Sequence, residues 1–264
     1  MRQQQILVAM CIAALFSGTM TTQANSAGAK RIDFRPSFSV GDEWKVEVRK
    51  MTERPNLPED RLANWRPTEF AVVYQFTVQA LEDINSEPCF RIRIDAKTLD
   101  GVPIGETVNG ITYGQNVEYW RIYLRQSDFT LKRVERLRSG ADQIVASHQF
   151  EPGPVDVTET VGDLILAIPS FQGGEQSTIE PLVHRTASGE RMGTAVGHCR
   201  QSEETARIRI NGQEKDALKM TLEKIPEDSH SRVTTEIWEK GMPWWTEATY
   251  YRDGRPWCWA KLLK

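Results

Sequence analysis

The sequence predicts a mainly β protein: an antiparallel meander curved into a half-barrel or open barrel, with one or two short helices. Three observations carry this. Apolar and polar residues alternate with a period of two through most of the chain after residue 40. Pairs such as Asn-Gly and Asp-Gly, which accept the positive φ of tight hairpin turns, recur between the alternating runs. One segment near residue 160 breaks the rhythm and adopts helical spacing.

The alternation is clearest in four runs. In EWKVEVRK, Trp44, Val46 and Val48 alternate with Lys45, Glu47 and Arg49. In FAVVYQFTVQAL the even positions from Phe70 through Tyr74 and Phe76 to Ala80 are apolar. CFRIRIDAK sets Phe90, Ile92, Ile94 and Ala96 against Arg91, Arg93, Asp95 and Lys97, and EYWRIYLRQ puts Trp120, Ile122 and Leu124 on one side. Such runs are strands with one face buried and one face wet. Asp100-Gly101, Asn109-Gly110, Asn211-Gly212 and Asp253-Gly254 supply the turns of consecutive hairpins. In DVTETVGDLILAIP, Val161, Leu164, Ile165 and Ile168 fall at i, i+3, i+4 and i+7. Asp156 and Glu159 stand as a capping pair and Pro169 ends the run. This spacing predicts a helix over 157–168 whose apolar stripe covers the sheet.

Residues 1–24 have the parts of a secretory signal: Arg2, an apolar run from Ile6 to Phe16, and small residues suited to cleavage near Ala24 or Ala29. Met10 stands where a lipoprotein signal carries a small residue, so Cys11 reads as part of the apolar run. Residues 25–39 are expected to be a flexible mature N-terminus, and 40–264 a single β-rich domain that is exported to the periplasm or secreted. No later stretch has the length of a membrane-spanning helix. A net charge of −3 does not suit a nucleic-acid partner. Cys89, Cys199 and Cys258 survive cleavage. They are three buried apolar residues, or one bridge and one free thiol, with Cys199–Cys258 the preferred pair because both lie in the C-terminal half.

The usual enzymatic signatures are missing: there is no His-Glu-x-x-His, Gly-x-Ser-x-Gly, Cys-x-x-Cys, P-loop or dinucleotide fingerprint. No cofactor or metal site is expected. His198 and Cys199 point to opposite faces of a strand and do not share an ion. His148 reads as an inward imidazole with a hydrogen-bond partner. Arg91, Arg93, Arg121, Arg125, Arg207 and Arg209 recur on strands and read as partners in cross-strand ion pairs.

The C-terminal hairpin is apolar on both sides. With Asp253 and Gly254 as turn residues, Tyr250 lies opposite Trp257, Ala248 opposite Trp259, and Trp244 opposite Leu263. Trp245, Tyr251, Cys258, Ala260 and Leu262 share the other face. Both faces need a cover: the core and the helix, an apolar ligand, or a partner.

An exported meander with an inserted helix and an aromatic interior resembles the half-barrel carriers of the bacterial periplasm, the outer-membrane lipoprotein carrier and receptor family. The resemblance implies an apolar cavity that holds acyl chains, with Trp44, Phe76, Trp120, Trp244, Trp257 and Trp259 as lining. The leading expectation is an exported non-enzymatic β protein that binds an apolar small molecule, a lipid or a lipidated partner. The second is an envelope module that docks a protein. The third is a hydrolase with carboxylates or His148 in the cleft.

Overall fold

The computed structural model describes residues 33–51, 68–108, 111–138, 142–158, 164–172, 176–186, 191–210, 213–226 and 232–263. The expected signal segment and its expected cleavage sites lie outside these residues. Fifteen strands account for most of what is described: β1 (Glu43–Met51), β2 (Glu69–Ile84), β3 (Glu87–Lys97), β4 (Gly105–Val108), β5 (Ile111–Arg125), β6 (Leu131–Arg138), β7 (Gln143–Gln149), β8 (Val155–Asp156), β9 (Ala167–Ile168), β10 (Gln176–Thr186), β11 (Arg191–Ile210), β12 (Gln213–Pro226), β13 (Arg232–Glu239), β14 (Glu247–Arg252) and β15 (Arg255–Leu263). The alternation seen in sequence fixes their faces. Trp44, Val46 and Val48 are buried on β1, as are Tyr74, Phe76 and Val78 on β2 and Ile92 and Ile94 on β3.

The main sheet is antiparallel and curved, in the order β3-β2-β1-β15-β14-β13-β12-β11-β10-β7-β6-β5-β4, with β3 also paired to β5. Twelve strands therefore form a continuous ring of neighbours, in which Lys45↔Leu263 joins the two ends of the chain and Ile94↔Trp120 joins β3 to β5. A sheet whose pairing returns on itself must curve, and its main strands have no bare edge. About eight strands enclose a space that side chains alone can fill, so twelve enclose more than that.

The segment between β7 and β10 fills the extra space. Residues 153–158 and 164–170 are buried without interruption, whatever their polarity. β8 pairs with β9 (Val155↔Ile168, Asp156↔Ala167), and Val157 N–H donates to the Leu166 carbonyl. The hairpin bonds to strands on opposite sides of the ring: Ile165 N–H donates to the Tyr74 hydroxyl on β2, while Ser170 N–H donates to Gln201 Oε1 on β11. It therefore lies inside the ring. This corrects the helix expected over 157–168. Residues 164–166 are in neither helix nor strand, 167–168 form β9, and 159–163 lie outside the described residues. The apolar spacing reflects burial on all sides, which periodicity cannot tell from a helix.

One further expectation changes. In the segment before β1, Phe34 and Pro36 are buried and Arg35 Nη1 donates to the Ser127 carbonyl, while Asp33, Arg35, Ser37 and Ser39 are exposed. The last hairpin turns at Asp253 (φ 50°) and Gly254 (φ 72°) as predicted, but the register shifts at Tyr250/Tyr251. The extra residue places Tyr250 opposite Cys258 and Ala248 opposite Ala260, one position from the predicted pairing. Trp244 and Trp245 precede β14 and lie in its connection to β13.

Candidate functional site

The aromatic end of the ring gathers residues from four separate stretches. Trp44 near the start of β1 stacks on Phe76 of β2 at 5.1 Å with an interplanar angle of 8°. Their backbones face each other in register, which puts the two rings on one face. Trp244 leans on both, 5.3 Å from Trp44 and 5.2 Å from Phe76. Phe38, in the segment before β1, completes the pile by stacking on Trp44 at 5.0 Å and 9°. Trp44, Phe76 and Trp244 are buried and Phe38 is half-buried, so the pile reaches the surface through Phe38. Each such ring pair adds about 0.5–1.5 kcal/mol beyond area burial.

Of the six residues proposed from sequence as lining, the structure brings Trp44, Phe76 and Trp244 into this pile. Trp120 is buried and meets Tyr74 edge-on at 6.1 Å. Trp257 and Trp259 face away from the interior, which is a correction. The bulge turns Cys258 and Ala260 inward and leaves Trp259 39% exposed. Trp257 is half-buried beneath the Arg252 guanidinium, 4.5 Å from its ring centre. Sequence reasoning missed Phe38, Phe129, Phe171 and Trp238, which extend the aromatic cluster. Their signal was aromatic residues at element ends and in loops, where alternation does not assign a face.

Cys89, Cys199 and Cys258 are all buried and none is in a disulfide, in keeping with the reading of three buried apolar residues; the possible Cys199–Cys258 bridge does not form. Cys199 lies on β11 and Cys258 on β15, four strand spacings apart in the ladder, or roughly 19 Å along the sheet. A disulfide needs Cα atoms within about 7 Å.

A second, polar region surrounds the inner hairpin. Lys224 Nζ donates to the Asp156 carbonyl at 2.8 Å, and Arg232 Nη1 to the Thr158 carbonyl at 2.5 Å. Gln201 holds Ser170 by both its N–H and its carbonyl, each at 2.7 Å. Glu236 on β13 is fully buried and accepts the Trp238 indole N–H at 2.9 Å. Burial pushes the Glu236 carboxyl well above its ordinary range, and the Asp156 charge adds to this. Tyr250 is likewise raised by burial and then by Glu236. A general acid or base must reach its substrate, and a fully buried carboxyl does not meet that requirement.

His148 is buried, as expected. Five of the six strand arginines are paired: Arg91 with Glu82, Arg93 with Asp95, Arg121 with Glu135, Arg125 with Glu87 and Asp128, and Arg207 with Asp216, while the Arg209 side chain lies outside the described residues. Some of these pairs lie along a strand and others across strands. Among the described residues, no group of three His, Cys, Asp or Glu side chains is placed to hold a metal ion. No helix among them is long and apolar enough to cross a membrane.

No protein-family model matches the chain, and no curated protein matches it in sequence. Two solved structures are similar to it. One is a candidate lipoprotein from Parabacteroides distasonis ATCC 8503, with 11% identity, 88% of this chain and 97% of that chain covered, and a TM-score of 0.35. The other is a candidate exported protein with YmcC-like fold from Bacteroides fragilis NCTC 9343, with 8% identity, 84% and 95% covered, and a TM-score of 0.34. At these scores neither likeness carries an argument about what this chain does. The resemblance to half-barrel carriers is now limited to a curved antiparallel sheet, with a hairpin where a covering helix was expected.

Proposed function

We propose that the chain is an exported, non-enzymatic β protein that binds an apolar ligand at its aromatic end, and not in a central hollow. The inner hairpin occupies the middle of the ring, which leaves the end beneath Phe38 as the place for a ligand. The carrying observation is the continuous pile Phe38–Trp44–Phe76–Trp244, buried within and half-open at Phe38. Large aromatic faces with few polar atoms suit an apolar guest. Export rests on the signal-like pattern of residues 1–24. Native mass spectrometry and solvent extraction of protein purified from its export compartment test the reading. A bound apolar species lost on Phe38→Asp substitution is expected. Protein that leaves the cell envelope ligand-free, and shows no tryptophan fluorescence change with any alkyl chain, removes it.

The filled interior favours a second reading, an envelope module that docks a partner protein through its outer face, where Trp259 is exposed. A photo-cross-linker at position 259 should then trap one partner in cells. A ladder of unrelated adducts, or none, counts against it.

A further inference from the structure

Three indoles of the aromatic end, those of Trp44, Trp244 and Trp245, are buried with no acceptor for their N–H among the described residues. They form a connected set: Trp44 lies 5.3 Å from Trp244, and Trp244 lies 6.4 Å from Trp245. The neighbouring Trp238, 5.8 Å from Trp244, shows the ordinary arrangement, since its N–H reaches Glu236 Oε2 at 2.9 Å. Most buried polar groups find a partner, and an indole can only donate. Three idle donors in one ring cluster are therefore a demand for acceptor atoms.

The charged groups near this end are already engaged. Arg125 binds Glu87 and Asp128, Lys132 binds Glu87 at 2.6 Å, and Arg35 binds Asp33 and the Ser127 carbonyl. A carboxylate guest would thus meet neutral donors and no unengaged cation among these three. A cationic guest would oppose the donors. Resting on the binding role proposed above, we infer that the ligand is a neutral chain bearing oxygen acceptors, such as an ester, amide or ether. It enters where Phe38 now stacks on Trp44 and accepts from the indoles of Trp44, Trp244 and Trp245. Phe38 in this view is an internal stand-in for the guest. The segment that carries it turns at Gly41, whose φ of 98° favours glycine, and is tied to β2 by Gly41 N–H to the Val78 carbonyl at 2.8 Å.

Methyl decanoate, decane and decanoate are the probes, titrated into the full exported chain and read by tryptophan fluorescence and calorimetry. Methyl decanoate is expected to bind at least about tenfold tighter than decane, the size of one to two net hydrogen bonds. Trp→Phe at positions 44, 244 and 245 keeps the rings and removes the donors. The triple variant should bring the ester preference close to one while decane affinity stays, which separates lost donors from lost folding. Phe38→Ala should raise affinity for both neutral probes. Equal binding of methyl decanoate and decane to the natural chain overturns the acceptor inference and leaves the apolar site standing. Tightest binding of decanoate overturns the neutrality of the guest. Binding of none of the three removes the apolar site and this inference together.

Discussion

Glu236 shows how one residue ties the interior to solution conditions. Its native pKa is raised because ionising it in a fully buried position is unfavourable; unfolded, it titrates near 4.5. The native chain therefore binds one more proton than the unfolded chain between pH 4.5 and the raised native value. This contribution is fully present below the unfolded pKa and is lost as pH rises, by up to about 1.4 kcal/mol per pH unit. Glu236→Gln keeps an acceptor for Trp238 and cannot ionise. Urea unfolding should show the variant at least as stable as the natural chain at pH 8, with a flatter stability profile between pH 5 and 8. An unchanged profile would mean that the carboxyl is ionised in place. Asp128 behaves in the opposite sense. Burial alone would raise its pKa, but bonds from Arg125, Thr130 and Gln172 outweigh that and hold it well below the ordinary 3.8. Its stabilising effect is present above about pH 4 and is lost as pH falls through the native value. Asp128→Asn should cost roughly 1–3 kcal/mol at pH 7, and the gap to the natural chain should shrink in unfolding curves taken below pH 3. The same bonds hold Phe129 at φ 61°, a backbone state that bulky residues rarely adopt.

Among the elements, the inner hairpin was the least legible in the sequence. Its residues 164–168 read as one face of a helix because apolar positions outnumber polar ones, and nothing local says that every side is covered. What makes the segment a hairpin is distant: Tyr74 on β2, Lys224 on β12 and Arg232 on β13 each satisfy one of its backbone groups, and Gln201 on β11 satisfies two. Gln201 is the most consequential, since it pairs with both the N–H and the carbonyl of Ser170. Gln201→Leu leaves two buried backbone groups unpaired, at about 1–3 kcal/mol each. Hydrogen exchange should then quicken at residues 164–171 while β1 to β3 keep their protection. Uniform acceleration across all strands would instead mean that the hairpin and the ring open together. Bulges were equally silent in the sequence. One extra residue at Tyr250/Tyr251 moved Trp257 and Trp259 from the inner to the outer face, a direct consequence of the two-residue period. By contrast, β1, β2, β3 and β5 were readable because apolar and polar residues alternate along them, although Tyr119 and Tyr123 are buried on the second face of β5. The turn at Asn85 (φ 52°) and Ser86 (φ 65°) carries no glycine and gave no signal, although it joins β2 to β3.

At the scale of the whole molecule, the meander was visible but its ends were not. Alternation identifies strands, and hairpin turns make sequential strands neighbours. Nothing local requires the last strand to pair with the first, or β3 with β5 across the short β4. The seam is nevertheless as regular as any hairpin: β1 and β15 pair continuously from Lys45↔Leu263 to Lys50↔Cys258. If the ring is the unit of folding, the position of the chain ends matters little and the presence of β15 matters greatly. A permuted chain beginning at Gly254 and ending at Asp253, with residue 264 joined to Asp33 by a Gly/Ser linker of about 15 residues, keeps every pairing and spans roughly 20 Å. It should be monomeric and unfold cooperatively. Deleting residues 255–264 leaves β1 and β14 with bare edges and uncovers Val46 and Val48, so that chain should aggregate. Light scattering and denaturant melts of the two proteins decide the matter. A deletion variant that stays monomeric and cooperatively folded would show that the seam is dispensable and that the sheet holds its curvature around the inner hairpin alone.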